Sequence, residues 1–364
     1  MYYRIAEITL YSEFRMHSFE AFSCDPAPAD VILKDGGAVP SDGKELKAGV
    51  LKVSRVSDGW FLQPAGTEGA GLITSEDYTR LCLAGEDAAI EKLGTLVEWL
   101  VRVALECFLV RRGYVSLHAA AVEAGGKAYA FSGPSGIGKS TRAEAWLEAS
   151  PAQLISGDRP MIHVDTLTLY GVPWDGKERC YRNVCFPLEM ICEVRRSQTE
   201  YVRAMSFDQR RRLLVRQCFL PMWDTETSAL QLVNIANLAR KAQIVRVFCG
   251  PSPEDAKNLQ RILSRGEWEK ELPDMKAKEG FVLRSVSNDY ILMPAGENAG
   301  RFNGTVVLND VAAFVWKMLE NPVSREDLLL AVMDAYNVEE AVAARDLDAL
   351  LQKLNAYGVI EDEG

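Results

Sequence analysis

The 364-residue sequence has few of the residues that build zinc, redox and disulfide sites. It contains three histidines, and no two of its eight cysteines have the Cys-x-x-Cys spacing that zinc and dithiol sites commonly use. The nearest approach to a cluster is Cys180, Cys185 and Cys192, which has no histidine close by in the sequence. We therefore expect reduced thiols, as in a cytoplasmic protein.

The sequence also lacks an excess of positive charge and a membrane-length apolar run. Its 41 Lys plus Arg and 51 Asp plus Glu give a net charge of −10, which argues against general affinity for nucleic-acid phosphates. The most apolar stretch, 96–110, is shorter than a membrane span, and Glu98, Arg102 and Glu106 recur on it every four residues, which predicts ion pairs along one helical face. No signal peptide is evident at the start. We expect a cytoplasmic protein that binds neither nucleic acid nor membrane.

Segment patterns divide the chain into three blocks and a linker. Residues 1–112 alternate strand-like segments with turns and end in an amphipathic helix near 88–112, which predicts a β-rich amino-terminal block. Residues 113–264 mix strands and helices around a glycine-rich turn, and 265–280 have the charged composition of a linker. Residues 281–364 show three short strands followed by three helices. The expected fold class is α/β (α+β), with a small winged-helix-like carboxy-terminal domain.

The segment 133–140, Gly-Pro-Ser-Gly-Ile-Gly-Lys-Ser, matches the phosphate-loop pattern G-x-x-x-x-G-K-[ST]. A strand-like segment precedes it, and a helix is predicted to begin at Lys139. Glycines allow backbone N–H groups to turn toward phosphates, and a helix amino terminus adds partial positive charge. We predict that Lys139 reaches the terminal phosphates and that the Ser140 hydroxyl binds Mg²⁺. The predicted nucleotide contacts are Gly133, Ser135, Gly136, Ile137, Gly138, Lys139, Ser140 and Thr141.

Missing motifs exclude two large classes of phosphate-loop protein. The chain has no Asn-Lys-x-Asp guanine reader, which a GTPase would need, and no Leu-Ser-Gly-Gly-Gln-like signature of an ABC-type ATPase. The segment YVSLHAAAVEAGGKAYAFSGPSGIGKSTRAEAWL, followed by AQLISGDRPMI, resembles the catalytic domain of the HPr serine kinase/phosphorylase family. This resemblance implies an ATP- and Mg²⁺-dependent phosphotransferase with an HPr-kinase-like core.

The resemblance also assigns individual residues. It makes His118 the active-site histidine on the strand before the loop, Lys139 and Ser140 the phosphate and metal contacts, and Asp158 one member of an acidic pair that supplies a base and a metal ligand. Here the pair reads Gly157-Asp158, where the family has two aspartates. The identity of the base is therefore left open between Asp158, His118 and another carboxylate.

Two charged segments follow the predicted core. Residues 169–183 have the composition of a loop at the edge of the site, in which Asp175, Lys177 and Arg179 would contact the acceptor or the phosphoryl group; an exposed charged loop is the alternative. The arginine-rich run 195–216 predicts a solvated helix face, with binding of an acidic peptide as the alternative.

The carboxy-terminal pattern YILMPAG…FNGTVVLNDVAAFVWKMLENPVSREDLLLAVMDAY resembles the PqqD-like family of peptide-recognition domains. Residues 281–364 carry 6 Lys plus Arg against 14 Asp plus Glu, and this negative charge argues against DNA binding by a winged helix. The resemblance implies that a leader peptide adds as a strand at the edge Gly304 to Leu308, against a groove wall formed by the helix from Glu340 to Tyr357. Phe314 and Trp316 are predicted to be core residues.

Together these features predict a kinase of a serine, or less favourably a threonine, on a ribosomally synthesised precursor peptide that is captured through its leader. Two alternatives stay open: an ATP-binding peptide carrier without catalysis, and a kinase of a small molecule or carrier protein. A homo-oligomer is compatible with the sequence.

Overall fold

A computed structural model describes residues 1–41, 43–47, 50–174, 180–197, 199–270, 274–286, 289–296 and 306–363. They form two compact units, 1–270 and 271–364. The predicted boundary at residue 112 therefore separates two sheets within the first unit. The architecture is mixed α/β with several sheets.

The amino-terminal block is an eight-stranded sheet in the order β1-β2-β3-β8-β7-β6-β5-β4. Its strands are β1 (Tyr2–Ile5), β2 (Ile8–Ser12), β3 (Val31–Gly37), β4 (Lys44–Lys47), β5 (Leu51–Val56), β6 (Gly59–Pro64), β7 (Ala70–Ser75) and β8 (Arg80–Gly85). Alternate apolar residues such as Leu51 and Val53 are buried, as expected for a sheet with one face on a core. The predicted β-rich block is thus present.

The predicted helix 88–112 is two helices, α1 (Asp87–Leu93) and α2 (Leu96–Val110). The break falls at Gly94, whose φ of +50° ends α1 in a conformation that glycine adopts readily. The predicted ion-pair stripe on α2 forms only in part. Arg102 lies 3.6 Å from Glu106, whereas Glu98 accepts hydrogen bonds from the backbone N–H groups of residues 17 and 18.

A second sheet contains the candidate site. Its order is β12-β10-β11-β15-β14-β13-β9, with β17 beside β15 and β16 beside β17. Its elements are β9 (Tyr114–Ser116), β10 (Ala119–Ala124), β11 (Lys127–Ser132), α3 (Lys139–Ala149), β12 (Ala152–Ser156), β13 (Met161–His163), β14 (Thr168–Tyr170), β15 (Cys185–Arg196), β16 (Tyr201–Ala204), α4 (Phe207–Gln217), α5 (Thr225–Lys241), β17 (Ile244–Cys249) and α6 (Pro253–Arg265). Side chains of α3 and α6 pack on one face and those of α4 and α5 on the other.

Three predicted segments are interrupted in the structure. His118 lies in the gap between β9 and β10 rather than within a strand. The strand-like segment 154–165 is divided into β12 and β13, because the turn 157–160 contains Arg159 at a φ of +52°. The arginine-rich run is helical only in α4, and Arg195, on β15, is buried rather than on a solvated helix face.

The second unit contains β18 (Asp274–Ala277), β19 (Phe281–Val286), β20 (Asp289–Pro294), β21 (Val306–Leu308), α7 (Asp310–Leu319), α8 (Arg325–Tyr336), α9 (Glu340–Ala356) and β22 (Ile360–Glu363). Strands β19, β20 and β21 form one antiparallel sheet, and β18 pairs with β22. Part of the predicted linker 265–280 is thus a strand of this unit. Side chains cap the start of two of its helices: Asn309 accepts from Ala312 N–H, and Ser324 accepts from Asp327 N–H.

A buried ion network crosses the second sheet and generates a stability prediction. Glu193 accepts from Arg195 at 2.8 Å and from Arg246 at 2.6 Å, and all three residues are at most 5% exposed. Glu193→Ala would leave the two buried guanidinium groups without this carboxylate, so we expect a loss of about 3–5 kcal/mol in the free energy of unfolding, measured by urea denaturation. The control Glu269→Ala removes the more exposed partner of Arg203 and should cost no more than about 1 kcal/mol. Equal losses in the two variants would contradict the prediction.

Candidate functional site

The loop between β11 and α3 has a backbone that requires glycine. Gly133, Gly136 and Gly138 have φ angles of +148°, +78° and +103°, which other residues rarely adopt. Two side chains stabilise the loop: that of Ile137 is buried, and that of Arg196 on β15 donates to the Gly136 carbonyl at 2.6 Å. The glycine-rich turn therefore has a fixed shape at the amino terminus of α3.

Lys139 bends back over this loop. Its Nζ donates to the carbonyls of Gly133 and Pro134, both at 3.0 Å. Burial lowers the pKa of Lys139, and its two charged neighbours act in opposite directions, Asp158 raising it and Arg159 lowering it. The ammonium group thus lies at the loop mouth among other charges.

Strand pairing determines which residues join Lys139. β10 is antiparallel to both β11 and β12, with Ala119 opposite Ser132 and Ala121 opposite Ser156. The start of β10 and the ends of β11 and β12 consequently share one edge of the sheet. His118 precedes β10 and Asp158 follows β12, so both side chains are brought to the mouth of the loop.

His118 and Asp158 face each other across this edge. The His118 Nε2–Asp158 Oδ1 distance is 3.9 Å, and the side chains are 29% and 27% exposed. The backbone fixes His118, since its N–H donates to the Gln217 carbonyl and its own carbonyl accepts from Ser132 Oγ. Burial lowers the pKa of His118 below its ordinary value near 6.5, and Lys139 lowers it further, although Asp158 opposes this. This shift favours the neutral imidazole, which is the form that can accept a proton.

Two buried polar atoms at this edge have no hydrogen-bond partner among the described residues: Asp158 Oδ1 and Arg159 Nη1. Such atoms are costly in a folded protein and are normally satisfied. One belongs to an anion and the other to a cation, so a bound group that carries both a metal ion and phosphate oxygens would satisfy both.

The oxygen atoms of Asp158 and Ser140 are candidate ligands for Mg²⁺. No group of three or more His, Cys, Asp or Glu side chains suited to a metal occurs in the described parts of the chain. Mg²⁺ needs no such cage, because it is commonly held by one or two protein oxygens, substrate phosphates and water. The unsatisfied Asp158 oxygen and the half-buried Ser140 in the first turn of α3 therefore fit this ion. Ser135 and Thr141 are exposed at the loop surface.

Sequence reasoning missed Arg159, Arg196 and Gln217. Arg159 follows Asp158 in a turn, where an arginine ordinarily indicates only a surface charge, and its placement depends on the positive φ of that turn. Gln217 lies about a hundred residues from His118 in sequence, yet its carbonyl accepts from His118 N–H. The predicted contacts Asp175, Lys177 and Arg179 lie outside the described residues.

The second unit contains a separate apolar groove of about 810 Å³ along β21 and α9. β21 is an edge strand that pairs, among the described strands, with β20 alone. Val307 on this edge is 63% exposed, and Val342 and Tyr357 on the facing wall are 40% and 51% exposed. The predicted wall from Glu340 to Tyr357 thus lines the groove, while only Val306–Leu308 of the predicted edge is described.

The predicted core aromatics beside this groove differ in burial. Trp316 is 2% exposed within the core of the unit. Phe314 is only partly buried and makes an edge-to-face contact with Tyr336, with ring centroids 5.7 Å apart. The core assignment is confirmed for Trp316 and is too strong for Phe314.

No helix in the described parts of the chain combines the length and apolar character needed to cross a membrane.

The electrostatics of the loop mouth predict how His118 titrates. We expect its pKa to lie below 6.5 in an NMR titration, to rise in Lys139→Met, which removes a positive neighbour, and to fall further in Asp158→Asn, which removes the opposing negative one. Arg211→Gln, which changes a surface arginine paired with Asp208, is the control for a change of net charge. A His118 pKa above 6.5, or one that is unmoved in Lys139→Met, would contradict this arrangement.

Comparisons with known proteins bear on the second unit. Residues 290–360 match the family model described as coenzyme PQQ synthesis protein D (PqqD). The chain has no significant match among curated proteins. Similar solved structures include TbiB1 in complex with the TbiA(beta) leader peptide, at 20% identity, and lasso peptide synthetase B1 complexed with the leader peptide, at 24% identity. The similarity to each of these structures covers 24% of this chain and 98% of the chain in that structure, with a TM-score of 0.21. The family-model match thus makes residues 290–360 of the carboxy-terminal unit similar to PqqD.

Proposed function

We propose that this chain is an ATP-dependent kinase that phosphorylates a serine, or else a threonine, of a ribosomally synthesised precursor peptide. The observation that carries the proposal is the convergence of Lys139, His118 and Asp158 at the mouth of a glycine-rich loop. The PqqD-like domain supplies the second half of the proposal, the capture of a leader peptide.

The loop suits the phosphate chain of ATP. Backbone N–H groups at the glycines and at the start of α3 would donate to the phosphates. The Lys139 ammonium would exchange its two carbonyl partners for terminal phosphate oxygens. Ser140 and Asp158 would hold Mg²⁺, which when bound neutralises charge on the phosphate oxygens.

The acceptor hydroxyl needs a group that takes its proton. His118, whose pKa is lowered by burial and by Lys139, suits this role, and its use would leave the single carboxylate of Asp158 for the metal. Such a division would compensate for Gly157 at the position where the HPr kinase family has a second aspartate. Most of the rate would come from alignment and charge neutralisation, as is general for phosphoryl transfer.

Leader recognition would use the groove in the second unit. An extended peptide can pair with the edge of β21 that faces away from β20 and place alternate side chains against α9. The exposed valines and Tyr357 would supply apolar contacts. Because both units belong to one chain, a captured leader would raise the effective concentration of the acceptor at the loop.

The kinase activity is tested with the purified chain, ATP, Mg²⁺ and the precursor peptide encoded beside its gene. We expect mass spectrometry to show a gain of one phosphate on the peptide, with the rate reduced at least about 100-fold in Lys139→Ala because a preorganised positive charge is lost. Lys127→Ala is the matched control, since Lys127 forms a surface pair with Glu189. No transfer, together with retained binding of ATP and peptide, would refute the kinase and favour the carrier.

The groove is tested separately by leader-peptide binding. Val307→Asp places a charge on the exposed edge of β21 and should weaken binding about tenfold or more, as measured by fluorescence anisotropy, with ATP binding unchanged. Val282→Asp is the matched control, since Val282 is also exposed but lies on β19, at the opposite edge of the same sheet. Equal losses in the two variants would refute the assignment of the groove.

A further inference from the structure

Arg159 has hydrogen-bonding capacity that the described residues do not use. Its Nη1 is buried without a partner, although the guanidinium group presents five donors that suit phosphate oxygens. The residue lies directly after Asp158, whose Oδ1 is also unsatisfied. Two adjacent residues, one cationic and one anionic, thus each present a buried polar atom without a hydrogen-bond partner among the described residues.

The backbone at Arg159 has a strained conformation. Its φ of +52° is a left-handed conformation that a long side chain adopts with strain. The carbonyl of Arg159 accepts from Trp174 Nε1 at 3.2 Å, which fixes the turn. Strained residues with a determined position concentrate at functional sites.

The charge of Arg159 acts on the same groups that form the loop mouth. It lowers the pKa of His118 and of Lys139, and it opposes the rise that burial gives to the pKa of the Cys218 thiol. Arg159 also directly follows Asp158, whose Oδ1 lies 3.9 Å from His118 Nε2, so the chain brings Arg159 to the same part of the site.

Other arginines around the loop have structural partners. Arg196 donates to the Gly136 carbonyl, Arg142 to the Cys249 carbonyl, and Arg182 to the Leu154 carbonyl. Each of these holds the backbone in place. Arg159, in contrast, has a buried N–H group directed at none of the described acceptors.

We infer that Arg159 binds the non-bridging oxygens of the terminal phosphoryl group of ATP, the group that the proposed kinase would transfer. This rests on the proposed function and adds a residue that discriminates ATP from ADP. In the reaction the acceptor hydroxyl oxygen bonds to the terminal phosphorus, and the bond from that phosphorus to the ADP oxygen breaks. The hydroxyl proton passes to His118, and Arg159 keeps its protons throughout.

The test compares ATP and ADP binding in the presence of Mg²⁺ by isothermal titration calorimetry. Arg159→Asn removes the charge while keeping a residue that tolerates the left-handed backbone. We expect it to weaken ATP binding about tenfold or more and ADP binding less than about twofold, because only ATP carries the terminal phosphate. Arg159→Lys, which keeps a charge without the planar fork, should fall between Arg159→Asn and the wild type. Arg211→Gln is the surface control.

The outcomes separate this inference from the proposed function. If the wild type prefers ATP and Arg159→Asn loses that preference, the inference about Arg159 holds. If no peptide is phosphorylated in that case, only the kinase proposal fails. If Arg159→Asn retains the preference, or weakens ATP and ADP equally, the inference is overturned while peptide phosphorylation can still stand. A wild type that binds neither nucleotide overturns both. Thermal unfolding tests whether Arg159→Asn is folded. If this variant is unfolded, the ATP preference of Arg159→Lys decides by the same criterion.

Discussion

The antiparallel pairing of β10 with both β11 and β12 is the constraint on which the candidate site depends. It aligns the start of one strand with the ends of two others, and hydrogen bonds along both ladders fix this register. His118, the glycine-rich loop and Asp158 are separated in sequence by other elements, yet this pairing places them on one edge. A register slip of one residue would turn the neighbouring side chains to the other face of the sheet.

The site combines rigid support with polar groups left unsatisfied. The Gly136 carbonyl, the Arg142 side chain in the first turn of α3 and the backbone N–H of His118 have hydrogen-bond partners within the protein. At the centre, Asp158 and Arg159 each keep one buried polar atom without a partner among the described residues. A protein that satisfies its supporting groups and leaves these two unsatisfied is suited to a charged ligand. Partial burial also strengthens the electrostatic influence of Lys139 on the neighbouring imidazole.

The second unit divides its apolar residues between two uses. Trp316 and the inner faces of its helices fill a core, while Val307, Val342 and Tyr357 remain exposed around a groove beside an edge strand. Exposed apolar residues beside an edge strand are a liability for aggregation unless a partner covers them. The arrangement therefore fits a surface that is covered by an extended peptide.

The sequence by itself determined the local elements. The glycine pattern around Lys139 predicted the loop, and the alternating and helical periodicities predicted the strands and helices of the carboxy-terminal domain. These elements can be predicted because they depend on residues close together in the chain. Other features were decided only by the tertiary structure: the exclusion of His118 from a strand, its approach to Asp158, and the left-handed backbone of Arg159 in the turn after β12. These depend on which strands pair and on one positive φ in a turn. Such pairings join residues that are distant in sequence, so local sequence patterns do not predict them.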